Sequence, residues 1–306
     1  MIRVRRSVVF VPGSEPRKLE KCRAFPADSL VLDLEDSVAP QQVVLARALV
    51  ADFLRAGPTG PQERMVRIHG VTTPHFHQDL EAILAARPDA VVVPKVNGPA
   101  EVQLAAELIS LAEAAQGIPP GTVRLLAIIE TARGLVQAFD IAAASPRLDG
   151  LILGHADLAM TLGIQERMAL DGVIRYARHH LVIAARAAGK EAWDMVWLQI
   201  ADLDGLWREA REGLHMGYSG KLVVHPSHIE PVNQIYTPTP AEVRFAEQVL
   251  EGYEAALKEG RAVFTVDGRM IDLPIVDVER RILERARRAG LSPGGAAAAG
   301  GGAESP

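Results

Sequence analysis

Acidic side chains follow several short apolar runs in this sequence, and two of them suggest a metal site. Glu130 comes directly after the run Leu125–Ile129, and Asp157 lies four residues after the run Gly150–Leu153. Two carboxylates that meet at a buried edge need a cation or a shared proton between them. Because no thiolate or tight histidine cluster accompanies the pair, these oxygen ligands favour Mg²⁺ completed by water and a chelating substrate.

Further charged or polar side chains stand at the ends of other apolar runs. A structural interpretation is that the acids pair with Arg67 and Lys95 in an ion network that only stabilises this end of the fold. A desolvated Lys95 could instead form a Schiff base with an oxo acid, but nearby acids favour its protonated form. Asp33 and Asp36 could also be simple helix caps. The polar run-end residues are Ser14, Asp33, Glu35, Asp36, Arg67, His69, Lys95, Glu130, His155, Asp157, Asp194 and His225.

Eight short apolar runs predict the strands that position these residues. The runs are nearly continuous rather than alternating, as in strands covered on both faces of a parallel sheet. Helical segments separate them, for example Ala100–Gln116, with a proposed stripe of Val102, Ala105, Leu108 and Leu111, and Tyr176–Ala188. Eight strand–helix units predict an α/β fold, a (β/α)₈ TIM barrel, with a doubly wound open sheet as the alternative. The runs are Ser7–Val11, Leu30–Leu34, Met65–Ile68, Ala90–Val93, Leu125–Ile129, Gly150–Leu153, Ala192–Val196 and Lys221–Val224.

The chain after the eighth run predicts a smaller C-terminal extension. We expect a catalytic barrel over residues 1–236, and a helical extension with a lid segment over 237–290. In the extension we expect the helix Ala241–Glu259, the extended piece Ala262–Val266 and a last helix near Val276–Ala289. Residues 291–306, rich in glycine and alanine, are expected to be disordered because they offer nothing large to bury.

Composition excludes several classes of protein. The chain has 306 residues, 48% of them apolar, with 33 Lys plus Arg against 38 Asp plus Glu, so the formal charge is 33 − 38 = −5. Without a basic block, a nucleic-acid-binding surface is not expected. The single cysteine, Cys22, excludes an internal disulfide framework and suits a reducing cytosol. Since no apolar run reaches about 18 residues, we expect a soluble cytoplasmic protein without a membrane span.

A series of motifs, in order from about Arg6 to about Asp272, resembles the citrate lyase beta-subunit family. That family belongs with the HpcH/HpaI aldolases and includes malyl-CoA and citramalyl-CoA lyases. The motifs are Arg6–Gly13, Asp33–Val38, Val66-Arg67 with Thr73-Pro74, Val92–Lys95, Ile129–Thr131, Asp157-Leu158 with Leu162-Gly163, Tyr176–Arg178, and Gly220-Lys221 with His225-Pro226.

The resemblance implies a Mg²⁺-dependent barrel that cleaves or forms a carbon–carbon bond beside a thioester. It implies that Glu130 and Asp157 are the metal ligands and that Arg67 binds the thioester or carboxylate oxygen. Glu35 and Asp36 would orient metal-bound water. The family also suggests a homotrimer or a dimer of trimers as the assembly.

Two further regions complete the expected site. The segment Val266–Pro274 resembles the family's C-terminal lid, in which Asp272 would reach a neighbouring subunit's site as acid or base. For coenzyme A, Ser14, Arg17 and Lys18 follow the first run, where a backbone turn and two cations could hold phosphates.

The function that the resemblance implies first is cleavage of a β-hydroxyacyl-CoA thioester to acetyl-CoA and a 2-oxo acid. Two alternatives stay open: a CoA-independent Mg²⁺ aldolase acting on a free 2-oxo acid, and a citrate lyase beta subunit acting on a citryl thioester of a carrier protein. Hydrolysis of the thioester is a further possible outcome. His69 and His155 depart from the family pattern and leave the choice of oxo acid open.

Overall fold

Eight parallel strands form a closed barrel in chain order, with β1 paired to both β2 and β8. This computed structural model describes residues 4–165 and 170–291. The predicted TIM barrel is therefore confirmed, and the open doubly wound sheet is excluded because β1 and β8 close the sheet. The strands are β1 Ser7–Pro12, β2 Ser29–Asp33, β3 Glu63–Arg67, β4 Ala90–Val93, β5 Arg124–Ile129, β6 Leu148–Leu153, β7 Glu191–Asp194 and β8 Gly220–Val223.

Helices follow the strands and cover the outside of the barrel. Short turns of other helix types lie at Pro40–Gln42, Leu170–Ile174 and Pro226–His228. The α-helices of this unit are α1 Pro16–Cys22, α2 Val43–Arg55, α3 Phe76–Leu84, α4 Pro99–Ala115, α5 Ala132–Val136, α6 Ala138–Ala143, α7 His155–Thr161, α8 Arg175–Ala187, α9 Leu203–Met216 and α10 Ile229–Tyr236.

The proposed apolar stripe of α4 was wrong at Leu111, whereas Leu108 is partly buried. Leu111 is 61% exposed, whereas Val102, Ala105 and Ile109 are buried. Repeated steps of three residues drift around a helix with 3.6 residues per turn, so the buried face instead advances by three and then four residues.

The inside of the barrel is filled by a cluster of apolar side chains. Phe10 packs against this cluster, and the Arg67 guanidinium lies 5.0 Å from the centre of its ring. The fold places the charged groups beyond the cluster, at the carboxyl ends of the strands. The cluster consists of Val8, Val31, Met65, Ala90, Val92, Leu126, Ile128, Ile152, Trp193 and Leu222.

Contacts divide the chain into a barrel unit, residues 5–234, and a second unit that contains residues 235–291. The second unit has α11 Pro240–Lys258, the antiparallel hairpin β9 Phe264–Val266 and β10 Arg269–Ile271, and α12 Leu273–Arg288. Its core contains Val249, Ala256, Phe264, Ile271 and Val276. The expected disordered tail, 291–306, lies outside the described residues except for Leu291.

The extended piece predicted at Ala262–Val266 is one half of that hairpin. Asp267 and Gly268 both have positive φ, 48° and 75°, as a two-residue hairpin turn requires. The Asp-Gly pair was a signal for this turn that the sequence reasoning missed. No helix in the described ranges combines the length and the apolar character needed to cross a membrane.

Candidate active site

Asp33 and Arg67 form the most closely bonded ion pair at the barrel mouth. They are direct partners in the register of β2 and β3, and Arg67 donates two hydrogen bonds of 2.6 Å to the carboxylate. Burial acts to raise the pKa of Asp33, but the Arg67 guanidinium outweighs it and lowers that pKa. Asp33 also accepts hydrogen bonds from the backbone amides of Glu35 and Ser37, so it fixes the loop that carries the next two acids.

Glu35 and Asp36, on that loop, share two cations. Lys95 Nζ donates to Glu35 Oε1 at 2.6 Å and to Asp36 Oδ1 at 2.9 Å. Arg67 Nη1 lies 3.3 Å from Glu35 Oε2 and 3.4 Å from Asp36 Oδ2. Glu35 Oε2 is buried and has no hydrogen-bond partner. Burial, the largest influence, raises the pKa of Glu35 despite both cations.

Lys95 is held as an ammonium. Partial burial acts to lower its pKa, but the bonds to Asp36 and Glu35 outweigh burial and raise the pKa above its ordinary value. A nucleophilic amine needs the opposite shift. The structure therefore favours an ion-pairing role for Lys95 over a Schiff base.

Glu130 follows β5 and is almost fully buried, with 2% of its surface exposed. Its Oε1 accepts a hydrogen bond of 2.8 Å from the Lys95 backbone amide. Burial, followed by the negative charges of Asp157 and Glu35, raises the pKa of Glu130 to about 8. A Cβ on Gly154 would lie 2.6 Å from Glu130 Cβ, so only glycine leaves room for this side chain.

Glu130 and Asp157 together fit a divalent cation. Asp157 lies in the first turn of α7, directly after β6, and its charge acts on Glu130. Burial is the largest cause of the raised pKa of Glu130, and Arg67 offsets it only in part, so a bound cation would favour the anion. In the described ranges, no three His, Cys, Asp or Glu side chains are grouped as metal ligands. Two carboxylates would leave the other coordination positions to water and substrate, as Mg²⁺ allows.

The three candidate coenzyme A residues lie at the start of α1. Ser14 is buried, while Arg17 and Lys18 are exposed, and Lys18 Nζ lies 3.9 Å from Glu15. Gly13, just before them, donates its amide to Asp33 O at 2.8 Å, and a Cβ there would meet Val50 at 2.8 Å. The turn after β1 is thus packed tightly against the end of β2.

Asp194, which the sequence reasoning placed among the strand-end polar residues, belongs to a buried network outside the barrel wall. It pairs with Arg178 of α8 at 2.6 Å and lies 4.0 Å from Lys221 Nζ. Lys221 and Arg178 also pair with Glu209 of α9. Trp193 fills the inside of the barrel, and the next residue of a strand points to the other side. The motifs around Arg178 and Lys221 therefore mark packing of helices on the barrel.

A histidine–aspartate pair follows Arg67 along the chain, and its aspartate was missed from the sequence. His69 Nδ1 lies 2.7 Å from the buried Asp79 Oδ2, which also accepts the His69 amide. Arg47 pairs with the other Asp79 oxygen at 2.7 Å. Asp79 sits in the first turn of α3, and an acid there is usual at a helix start, so the sequence held no signal of its contact with His69.

Asp272 lies at the N-cap position of α12 in the second unit, where its side chain makes no capping hydrogen bond. The barrel mouth therefore brings together Glu35, Asp36, Arg67, Glu130 and Asp157 in one unit, whereas Asp272 belongs to the other. A contribution of Asp272 to a mouth, in its own chain or in another, stays a prediction.

Comparison with known proteins matches residues 6–226 to the model of the HpcH/HpaI aldolase/citrate lyase family. Citrate lyase subunit beta of Leuconostoc mesenteroides subsp. cremoris is 37% identical over 93% of this chain and 94% of its own length. A (3S)-malyl-CoA thioesterase of Cereibacter sphaeroides is 35% identical over 92% and 94%. The crystal structure of protein CitE from Mycobacterium tuberculosis, in complex with magnesium, acetoacetate and coenzyme A, has a TM-score of 0.73, 34% identity, and coverage of 94% of this chain and 100% of that chain.

Proposed function

The chain belongs to the HpcH/HpaI aldolase/citrate lyase family, and from this premise we propose that it is a Mg²⁺-dependent carbon–carbon lyase. Its substrate in this proposal is a β-hydroxyacyl-CoA thioester of the citramalyl-CoA or malyl-CoA type. Its products are acetyl-CoA and a 2-oxo acid. The CitE structure, which contains magnesium, acetoacetate and coenzyme A, supports this choice of metal and of small molecules.

One observation carries the proposal: Glu130 is a buried carboxylate facing the charge of Asp157, with its pKa raised to about 8. Such a carboxylate is poorly stabilised by the protein alone. It becomes stable as an anion when a divalent cation binds. Glu130 and Asp157 would hold that cation, and Mg²⁺ bound there would act as a Lewis acid toward the oxygens of the oxo-acid half of the substrate.

The residues around the pair have separate roles in the proposed cleavage. The substrate hydroxyl would lose its proton to Asp272 acting as a base, the carbon–carbon bond breaks, and negative charge moves onto the thioester oxygen. Arg67, held by two bonds to Asp33 and by weaker contacts with Glu35 and Asp36, would direct its guanidinium group toward that oxygen. Glu35 and Asp36, held by Lys95, would orient water at the mouth. Asp272 would then return a proton to the carbon of the enolate.

The remaining parts of the proposal concern coenzyme A and assembly. Ser14, Arg17 and Lys18 would hold phosphates of coenzyme A at the turn after β1. A lid that brings Asp272 to a neighbouring subunit's site requires a closed assembly, for which we propose a trimer or a dimer of trimers.

Substitution of the two proposed metal ligands tests this function. We expect Glu130→Ala and Asp157→Ala each to abolish Mg²⁺-dependent cleavage, because each removes half of the protein's ligands for the cation. Asp52→Ala is a matched control, since this aspartate is exposed on α2 and pairs with its helix neighbour Arg55. Release of acetyl-CoA from citramalyl-CoA and malyl-CoA is measured by chromatography. Unchanged turnover in both site variants would refute the metal assignment.

Thioester hydrolysis, the activity for which one relative is named, is a second outcome of the same assay. Free coenzyme A together with the free hydroxy acid would mean that the thioester is hydrolysed without carbon–carbon cleavage. No reaction of either thioester would favour the CoA-independent aldolase, or a subunit that acts on a carrier protein.

A further inference from the structure

Lys95 has a backbone conformation that lysine rarely adopts. Its φ is +54°, in the left-handed region that favours glycine. In the described ranges, two other non-glycine residues have positive φ. Arg87 lies where the turn after α3 ends, and Asp267 lies in the β9–β10 hairpin turn. Lys95, in contrast, lies in the loop after β4 at the barrel mouth, where strain is a reason to look for function.

In this conformation, the backbone amide and the side-chain ammonium of Lys95 donate hydrogen bonds to three carboxylates. The Lys95 amide donates to Glu130 Oε1 at 2.8 Å. The Lys95 ammonium donates to Glu35 Oε1 at 2.6 Å and to Asp36 Oδ1 at 2.9 Å. These acids come from the loops after β5 and β2, so Lys95 links both loops across β3.

Neighbouring side chains hold the loop after β4 against the loop after β5. Asn97 Nδ2 donates to the Lys95 carbonyl at 2.7 Å, and Asn97 Oδ1 accepts from Thr131 Oγ1 at 2.7 Å. Thr131 directly follows Glu130 and caps α5 by accepting the Gly134 amide at 2.9 Å. The loop residues Lys95 and Thr131 are thus joined through Asn97 by hydrogen bonds.

A glycine would adopt this backbone at no steric cost. Glycine, however, has no side chain. A lysine at this position combines an ammonium group with a backbone amide that the left-handed conformation directs at Glu130. We propose that Lys95 is a positioning residue: its amide sets the direction of the Glu130 carboxylate for a divalent cation, and its ammonium holds Glu35 and Asp36 in place. This inference rests on the proposed function, because it assumes a cation at Glu130 and Asp157.

A pair of variants isolates the backbone contribution. Lys95→Gly and Lys95→Val both remove the ammonium, but glycine accepts the left-handed conformation and the β-branched valine resists it. Binding of Mn²⁺ alone is measured by electron paramagnetic resonance on the full chain, with wild type and Glu130→Ala as references. We expect Lys95→Val to bind Mn²⁺ at least tenfold more weakly than Lys95→Gly, and Lys95→Gly to bind no more weakly than wild type, because it loses a nearby positive charge.

Arg87 supplies the matched control, because it has a similar φ of +57° outside the mouth. Arg87→Val and Arg87→Gly should differ in stability but bind Mn²⁺ equally, which separates a local effect at Glu130 from a general loss of stability. If Lys95→Val does not fold, as judged by near-ultraviolet circular dichroism, Lys95→Ala replaces it with an expected loss of about threefold relative to Lys95→Gly.

The ammonium contribution is tested in the lyase assay at saturating Mn²⁺. We expect Lys95→Gly to lower kcat at least tenfold while Mn²⁺ affinity is retained. Equal Mn²⁺ affinity of folded Lys95→Gly and Lys95→Val would overturn the backbone role, and unchanged kcat in Lys95→Gly would overturn the ammonium role. Failure of wild type to bind Mn²⁺ through Glu130 would instead refute the proposed function on which the inference rests.

Discussion

Glu130 is buried and lies near other negative charges, and both effects raise its pKa. Burial disfavours the anion because the protein interior solvates charge poorly, and Asp157 and Glu35 add repulsion. Asp33 is buried as deeply, yet its pKa is lowered because Arg67 meets both of its oxygens. The two carboxylates therefore differ in their bonding to a cation: Arg67 bonds directly to Asp33, whereas it offsets the raised pKa of Glu130 only in part. This difference is the reason to test Glu130 for binding of a cation from solution.

Divalent binding should depend on pH through Glu130. Below about pH 8 the carboxyl is protonated in the metal-free protein, and a metal ion must displace that proton. We expect Mn²⁺ affinity to rise by up to about tenfold per pH unit toward pH 8 and then to level off, since one proton is released. Calorimetry in two buffers of different ionisation enthalpy measures the proton release. A Mn²⁺ affinity that does not change between pH 6 and pH 8 would contradict the raised pKa of Glu130.

The free energy of unfolding of the metal-free protein should depend on pH in the opposite direction to Mn²⁺ affinity. Because the pKa of Glu130 is raised from 4.5 to about 8, the folded state binds more protons than the unfolded state between those values. The free energy of unfolding should therefore fall as pH rises through this window. In Glu130→Gln this part of the fall should disappear, whereas the contribution of other groups such as Glu209 should remain.

At the residue scale, the sequence indicated much of the site. The position of Glu130, Asp157, Arg67 and Lys95 at the ends of apolar runs was sufficient, because parallel strands bring their carboxyl ends together. Asp194 shows what the end of a run does not predict. The run indicates how far along the barrel axis a residue lies, but the register of the strand decides whether its side chain points inward or toward the helices.

At the element scale, the first helical turn after β6 approaches the end of β5, and Gly154 allows this approach. We expect Gly154→Ala to weaken Mn²⁺ binding at least tenfold, because its Cβ would lie 2.6 Å from Glu130 Cβ and would displace the carboxylate. Gly70→Ala is the control at the end of β3, since its Cβ would make an ordinary contact of 3.6 Å with Pro94 O. Equal Mn²⁺ affinity of the two variants would contradict this steric account.

Packing of α8 and α9 on the barrel depends on the buried network of Arg178, Asp194, Glu209 and Lys221. We expect Lys221→Met to lower the free energy of unfolding by about 3–5 kcal/mol, because it leaves the buried Asp194 and Glu209 with Arg178 as a shared cation where the wild type has two. Arg55→Ala breaks an exposed ion pair on α2 and should cost about 0–1 kcal/mol. Urea denaturation measures both values. A loss below about 1 kcal/mol for Lys221→Met would show that the network contributes little.

The elements themselves were predicted better than their contacts. Eight apolar runs between helical segments gave the strand number and order, since a strand covered on both faces must be apolar throughout. The β9–β10 hairpin was only half predicted, because Arg269–Ile271 contains one buried residue and two exposed ones, and three residues provide little periodicity.

At the scale of the whole molecule, the central prediction is that Asp272 of one subunit serves the mouth of another. Asp272→Asn should retain Mn²⁺ binding and lose turnover, because the barrel unit that contains Glu130 and Asp157 is unchanged. Mixing Asp272→Asn subunits with Glu130→Ala subunits should recover part of the activity, since some sites then contain one intact copy of each residue. Mixtures with no activity above that of the separate variants would contradict the shared site.

The sequence could predict two units but not their arrangement, because an oligomer depends on the shape of surfaces that periodicity does not describe. The resemblance to the family predicts that residues 266–274 form a lid, and both this role and the position of the segment relative to a mouth stay predictions. The ion pairs of Arg67 with the three acids of the β2 end, in contrast, all lie within one barrel unit.

Chromatography of the products formed from citramalyl-CoA and malyl-CoA, with Mg²⁺ or with excess EDTA, tests the proposed function most directly. We predict that acetyl-CoA appears together with pyruvate or glyoxylate when Mg²⁺ is present, and that EDTA abolishes both products. Thioesters that remain intact with Mg²⁺, or acetyl-CoA formed equally in EDTA, would contradict a lyase whose cation is held by Glu130 and Asp157.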